Sequence, residues 1–150
     1  MPRYFFDTSA LIKNYHVESG TAEVQRLLSE PGAEIFISRL AWVETLSGFA
    51  TKVRTGLILA QEFQRLRGLF LADVKRKILR PLRVLNSPYQ LASDLVTTYG
   101  PNRQIRTLDA LQLAVALKAH RTQPLDGFVC ADQRLCDVAA LEGLAVVNPS

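Results

Sequence analysis

The sequence predicts an α/β domain built on a mainly parallel sheet. Two observations carry this. Short apolar or β-favouring runs alternate with longer stretches of helical pattern, as strands joined by crossover helices do. One helical stretch, Leu108–His120, is apolar almost without interruption, so it needs cover on more than one side, as between a sheet and other helices. The chain has 150 residues, 48% of them apolar and 21% charged. That is enough for a real core and is read as one domain over residues 1–150.

The elements follow in order. Tyr4-Phe5-Phe6 is aromatic and short, a first strand, and Asp7-Thr8-Ser9 after it supplies side chains that cap a helix start. Thr21–Ser29 reads as a helix stopped by Pro31-Gly32, and Glu34–Ser38 as a second strand. Helix resumes from Arg39 to about Lys52, Gly56 breaks it, and a further helix runs from about Leu57 to Val74, so that the two form a hairpin. Ile78–Leu85 is a third strand, and its Pro81 points to an edge or an irregularity. Pro88–Tyr99 is helical and closes at Gly100-Pro101-Asn102. After the buried helix Leu108–His120 come a fourth strand (Gly127–Cys130), a helix (Asp132–Leu141) and a short last strand (Leu144–Val147).

Several classes are set aside by composition. No apolar run approaches the ~20 residues that span a bilayer. The first residues lack a signal peptide's apolar stretch, so a cytosolic protein with no membrane contact is expected. Cys130 and Cys136 are the only cysteines, read as reduced, buried small hydrophobes; His16 and His120 lie too far off in sequence to complete an evident zinc set. The net charge is +4. Lys52, Arg54, Arg65, Arg67, Lys75, Arg76, Lys77, Arg80 and Arg83 share one stretch with only Glu62 and Asp73 as acids. Such an excess suits a polyanion such as RNA, and equally a solvated helix face or an acidic partner segment.

Four carboxylates stand where open parallel sheets build sites, beyond the carboxyl ends of the strands. Asp7 follows the first strand, Glu44 lies about two turns into the helix after the second, Asp109 opens the buried helix, and Asp132 follows the fourth strand. Each has a plain alternative: Asp7 and Asp132 as caps, Glu44 as a solvated glutamate, Asp109 as a first-turn acid favoured by the helix dipole. Converging carboxylates stay ionised at neutral pH only beside a cation, and oxygen ligands select hard ions such as Mg²⁺ or Mn²⁺. Such an ion lowers the pKa of a water and neutralises charge on a phosphate.

The local frames of these acids resemble the motifs of the PIN-domain family, in its VapC-like toxin branch. The carrying residues are Phe5-Phe6-Asp7-Thr8-Ser9-Ala10-Leu11-Ile12-Lys13, with Tyr15 and Glu18-Ser19-Gly20 after it; Ser38 through Glu44; Arg106-Thr107-Leu108-Asp109-Ala110-Leu111-Gln112-Leu113-Ala114; and Val129-Cys130-Ala131-Asp132-Gln133-Arg134-Leu135. The tail from Glu142 to Pro149 also fits, so the resemblance spans essentially the whole chain. It implies a three-layer α/β/α sandwich with a helical hairpin and a Mg²⁺- or Mn²⁺-dependent endoribonuclease. Asp7, Glu44, Asp109 and Asp132 would be both metal ligands and catalytic acids. Ser9 would position a water, and Lys13 and Arg134 would contact phosphate. It further implies an RNA substrate, a VapB-like antitoxin partner and a homodimer. One departure is Cys130, at a place two residues before the acid where the family often has Thr or Ser; a thiol hydrogen-bonds more weakly. The alternatives are a non-catalytic module binding RNA or protein, and a phosphotransferase with Asp7 as nucleophile. The latter would want a second acid where Ser9 stands.

Overall fold

The computed structural model describes residues 1–84 and 86–150; Leu85, the last residue of the expected third strand, lies outside them. The elements are β1 (Arg3–Phe6), α1 (Thr8–Leu11), a 3₁₀ turn (Ile12–Asn14), α2 (Thr21–Leu28), β2 (Glu34–Ser38), α3 (Arg39–Arg54), α4 (Ala60–Lys75), β3 (Leu79–Leu82), α5 (Asn86–Arg103), α6 (Thr107–Thr122), β4 (Gly127–Val129), α7 (Gln133–Leu141) and β5 (Val146–Val147). Among the described residues the strands form one sheet in the order β3-β2-β1-β4-β5. Every pairing is parallel. β3 is an edge strand, which accommodates Pro81, aligned with Ile37, because its other side needs no ladder bond.

Side chains alternate across a strand, so each face of the sheet collects its own core. Phe5, Phe36 and Phe128 point to one face, where α5, α6 and α7 contribute residues such as Leu95, Leu113 and Val138. The Phe5 and Phe128 rings stack 5.8 Å apart. Phe6, Ile35, Ile37 and Val129 point to the other face, packed by Leu11, Val24, Phe49, Leu66 and Phe70 from α1 to α4. The result is an α/β/α sandwich with a parallel sheet. α6 is buried from Ala110 through Leu117, as its unbroken apolar pattern required.

The hairpin of α3 and α4 turns on Gly56, whose φ of +78° few other residues adopt. Leu57 N donates to Lys52 O at 2.8 Å and Gly56 N to Val53 O at 3.1 Å, which together close α3. On the inner side of the hairpin the Tyr15 ring meets Phe49 and Phe70 edge-on, and its hydroxyl donates to Asp73 at 2.6 Å. One of the two acids in the basic stretch is thereby committed to an internal hydrogen bond.

Several boundaries differ from expectation: α4 starts at Ala60 rather than about Leu57, β3 is shortened to Leu79–Leu82 and β5 to Val146–Val147, and two helix ends run longer. α3 continues past Lys52 to Arg54, where the Gly56 motif ends it. α5 runs on through Pro101 to Arg103 rather than closing at Tyr99. Proline removes one helical N–H, but the turn around Pro101 is exposed, so water satisfies the carbonyl left over and the helix survives.

Phe70 is fully buried and touches Tyr15 and Trp42. Phe70→Ala is expected to cost roughly 3–5 kcal/mol of unfolding free energy. Denaturant titration with an unchanged m-value checks this, and a loss below about 1 kcal/mol would show that the cavity collapses freely.

Candidate active site

β1 delivers Asp7 to the C-terminal edge of the sheet. Its backbone N–H donates to Val129 O at 2.9 Å, extending the β1–β4 pairing. Its side chain turns back to cap α1: Oδ2 accepts from Ser9 N at 3.1 Å and from Ser9 Oγ at 2.5 Å. Ser9 Oγ in turn accepts from Ala131 N at 3.0 Å. The hydroxyl therefore latches the start of α1 to the loop after β4 while holding one oxygen of Asp7.

Glu44 arrives on α3, which starts directly after β2 because Ser38 Oγ caps it by accepting from Leu40 N at 3.0 Å. Asp109 arrives in the first turn of α6. Glu44 and Asp109 line one cleft of about 560 Å³, with Arg106 and Thr107 on its rim. Arg106 Nε stands 3.9 Å from Asp109 Oδ2, with the arginine side chain 80% exposed, a pair of little strength in water. One turn further along α6, Gln112 is fully buried and its Nε2 donates to Thr8 Oγ1 at 2.9 Å.

Burial and like charge set the electrostatics. Burial raises the Asp7 carboxyl to about 6; the two Ser9 hydrogen bonds pull against it, and the charges of Asp109 and Glu44 add to it. Burial also raises Glu44; Gln112 and Thr8 temper this, and Asp109 opposes them. Neither neighbour completes a hydrogen bond to Glu44 Oε1, which is buried without a partner, as is Gln112 Oε1. Asp109 is raised by burial first, then by Asp132, with Arg106 acting in the other direction. The four acids thus form a chain of mutual repulsion.

Oxygen atoms left without donors beside acids that repel one another are what a hard divalent ion relieves. The donor set fits such an ion in kind. It is not a closed cage: among the described residues, no three His, Cys, Asp or Glu side chains lie close enough together to hold an ion by themselves. Waters would complete the shell, as Mg²⁺ commonly requires.

The other expected residues divide. Asp132 caps α7, its Oδ1 accepting from Arg134 N at 3.0 Å and Leu135 N at 3.3 Å, while its charge still reaches Asp109. The Arg134 side chain is exposed at that helix start. Lys13 is directed elsewhere: its Nζ donates to Ser19 O at 2.5 Å and lies 3.8 Å from Glu18. Cys130 and Cys136 are both free and buried. Cys130 Sγ lies 3.9 Å from Asp7 Oδ2 and 3.4 Å from the backbone O of Asp132, so the thiol that departs from the resembled motif lies between the Asp7 carboxylate and the start of the α7 cap. Sequence reasoning passed over Gln112 and Arg106. A lone amide inside an apolar helical run was the available signal for Gln112; an exposed arginine before a helix offered none.

The PIN domain family model matches residues 4–141. No curated protein matches the chain in sequence. Among solved structures, a chain of a toxin-antitoxin complex from Klebsiella pneumoniae shares 21% identity over 98% of each chain, with a TM-score of 0.63. Mycobacterium tuberculosis VapC20, described as a Sarcin-Ricin loop cleaving toxin, shares 16% over 97% of this chain and 99% of its own, TM-score 0.67. DNA-bound VapBC from Salmonella typhimurium shares 13% over the whole of both chains, TM-score 0.64. At these identities the likeness is one of fold.

The raised Asp7 carboxyl has a pH signature. The folded protein holds this proton up to about 6 and the unfolded chain only to its ordinary 3.8. Stability from this group therefore falls as pH rises through that window and stays lower above it, by up to roughly 3 kcal/mol. In chelator-treated protein, Asp7→Asn is expected to gain in melting temperature over the parent as pH rises from 4.5 to 7.5. A constant difference across that range would refute the raised carboxyl.

Proposed function

The chain belongs to the PIN-domain family, and we propose that it is a Mg²⁺- or Mn²⁺-dependent endoribonuclease, the toxin half of a toxin–antitoxin pair. The observation that carries this is the buried, partnerless Glu44 oxygen in a cleft shared with Asp109, next to the raised Asp7. Among the described residues, no cation pairs with these acids except the loosely held Arg106.

In the proposed reaction a water oxygen attacks the phosphodiester phosphorus and the P–O3′ bond breaks. The 3′ oxygen takes up a proton, leaving a 5′-phosphate and a 3′-hydroxyl. The divalent ion supplies acidity to the water and neutralises charge on the phosphate oxygens. The residues of the chain place it. Asp7, Glu44 and Asp109 would hold such an ion, directly or through water. Asp132 adds charge from the α7 cap, and Ser9 orients Asp7. Exposed Arg134 and Arg106 stand at helix starts on this side, suited to steering an RNA backbone. Lys13, tied to Ser19 and Glu18, serves the loop it closes.

The resemblance to toxin structures supports a VapB-like antitoxin partner and a homodimer, with residues 1–150 acting as one PIN domain. Among the described residues no helix is long and apolar enough to cross a membrane. The unclosed ligand set favours a second reading, a module that keeps the fold and binds RNA or protein without cutting.

An assay separates the two. Purified protein with Mn²⁺ is expected to cleave structured RNA to 5′-phosphorylated products. Asp7→Asn or Asp109→Asn should lower the rate at least about a hundredfold, and excess chelator should abolish it. Mn²⁺ titration followed by electron paramagnetic resonance should show binding that Asp109→Asn weakens. RNA binding without cleavage under all metal conditions would select the non-catalytic module.

A further inference from the structure

We propose that the protein carries a second ligand site, a pocket for a nucleoside monophosphate, on the α5–α6 side of the sheet. A cleft of about 400 Å³ opens there between β2–β3 and the C-terminal half of α6, with Arg3, Arg83 and Lys118 around a floor that includes Phe36, Leu82 and Val115. Among the described residues, no carboxylate lines it. About 14 Å of helix rise separates Lys118 from Asp109, and the cleft shares no lining residue with the acid cleft.

The three cations are under-compensated. Arg83 and Lys118 are exposed and make no ion pair among the described residues. Lys118 Nζ donates to the Ser87 hydroxyl. Arg3 reaches Glu34 at 2.9 Å, but the other oxygen of that carboxylate serves Arg80 at 2.6 Å. Arg3 Nε is buried without a partner, and its guanidinium lies 4.6 Å over the Phe36 ring. Stacking fixes that planar cation in place before any ligand arrives.

This arrangement states its ligand. Arg83 and Lys118 offer donors of like charge for a phosphate, which accepts several charge-assisted hydrogen bonds at once. The floor is apolar, from Leu82, Val115 and the Phe36 ring under Arg3, and suits the face of a base. Gln123, exposed at the end of α6, lines the same cleft and brings an amide able to donate to and accept from a base edge. The volume falls in the range of small-ligand pockets and admits one nucleotide rather than a strand. A purely apolar ligand would leave the cations unanswered, and bare phosphate would leave the floor wet.

The test uses the full chain in excess chelator, with each of the four ribonucleoside monophosphates, adenosine and inorganic phosphate as separate probes. Saturation-transfer NMR and calorimetry read binding. At least one monophosphate is expected to bind with a dissociation constant below about 1 mM, more tightly than adenosine or phosphate. Affinity should fall as salt rises. Arg83→Ala with Lys118→Ala, both at exposed positions, should weaken it about tenfold or more. Ala119→Phe, which fills the cleft, should abolish it, and Asp109→Asn should leave it unchanged. No binding by any monophosphate, phosphate bound as tightly as the nucleotide, or affinity untouched by the double variant would each overturn the proposal. So would loss of binding in Asp109→Asn, which would place the ligand in the acid cleft. None of these results bears on RNA cleavage.

Discussion

The structure turns on the burial of the Asp7 carboxylate at the end of β1, within reach of two other acids. An ionised carboxylate removed from water costs several kcal/mol unless hydrogen bonds or opposite charge compensate it. Here Ser9 supplies two hydrogen bonds and Asp109 and Glu44 supply repulsion, so burial and like charge outweigh the hydrogen bonds and hold the carboxyl above its ordinary range. Such an arrangement persists because the rest of the chain over-determines it. Asp7 is held on one side by the β1–β4 ladder and on the other by the α1 cap. Ser9 ties α1 to the loop after β4, and two separate apolar cores press the sheet from both faces. The stability of those cores is what allows a repulsive pocket to exist at the sheet's edge.

Much of this was legible in the sequence, for reasons that differ by element. The parallel sheet and its layers followed from alternation of short and long apolar patterns, because strands buried on both faces and a helix buried all round leave distinct traces at Phe5-Phe6, Ile35–Ile37 and Ala110–Leu117. Pro81 announced an edge because proline cannot donate to a second ladder. Asp7 and Asp109 were legible as acids at element starts. What stayed hidden depends on contacts across the chain. The Ser9–Ala131 latch joins residues far apart in sequence, and nothing local at Lys13 foretells that Glu18 and the Ser19 carbonyl capture it. The passage of α5 through Pro101 was hidden for another reason: the rule against internal proline is about unsatisfied backbone, and exposure at that turn lifts it.

α6 links the two clefts, and the side-chain charges at its two ends suit them. The aligned peptide dipoles leave partial positive charge at Thr107 and partial negative charge near Thr122. Asp109 at the first end and Lys118 and Arg121 at the second each complement the dipole locally. A helix stabilised by acid at its start and base at its finish therefore offers a cation-seeking cleft at one end and an anion-seeking cleft at the other. Its middle, fully buried from Ala110 to Leu117, keeps the two apart.

Asp132 shows how a capping role and a charged role coexist. Its Oδ1 accepts from the Arg134 and Leu135 amides, and the charge of the group reaches Asp109. A cap thus maintains a negative charge at a fixed place beside the cleft. The weak Arg106–Asp109 pair completes the logic. At 3.9 Å and mostly in water, it offsets some repulsion in the absence of an ion yet costs little to break. Arg106 then holds its charge at the rim, where an incoming phosphate would meet it.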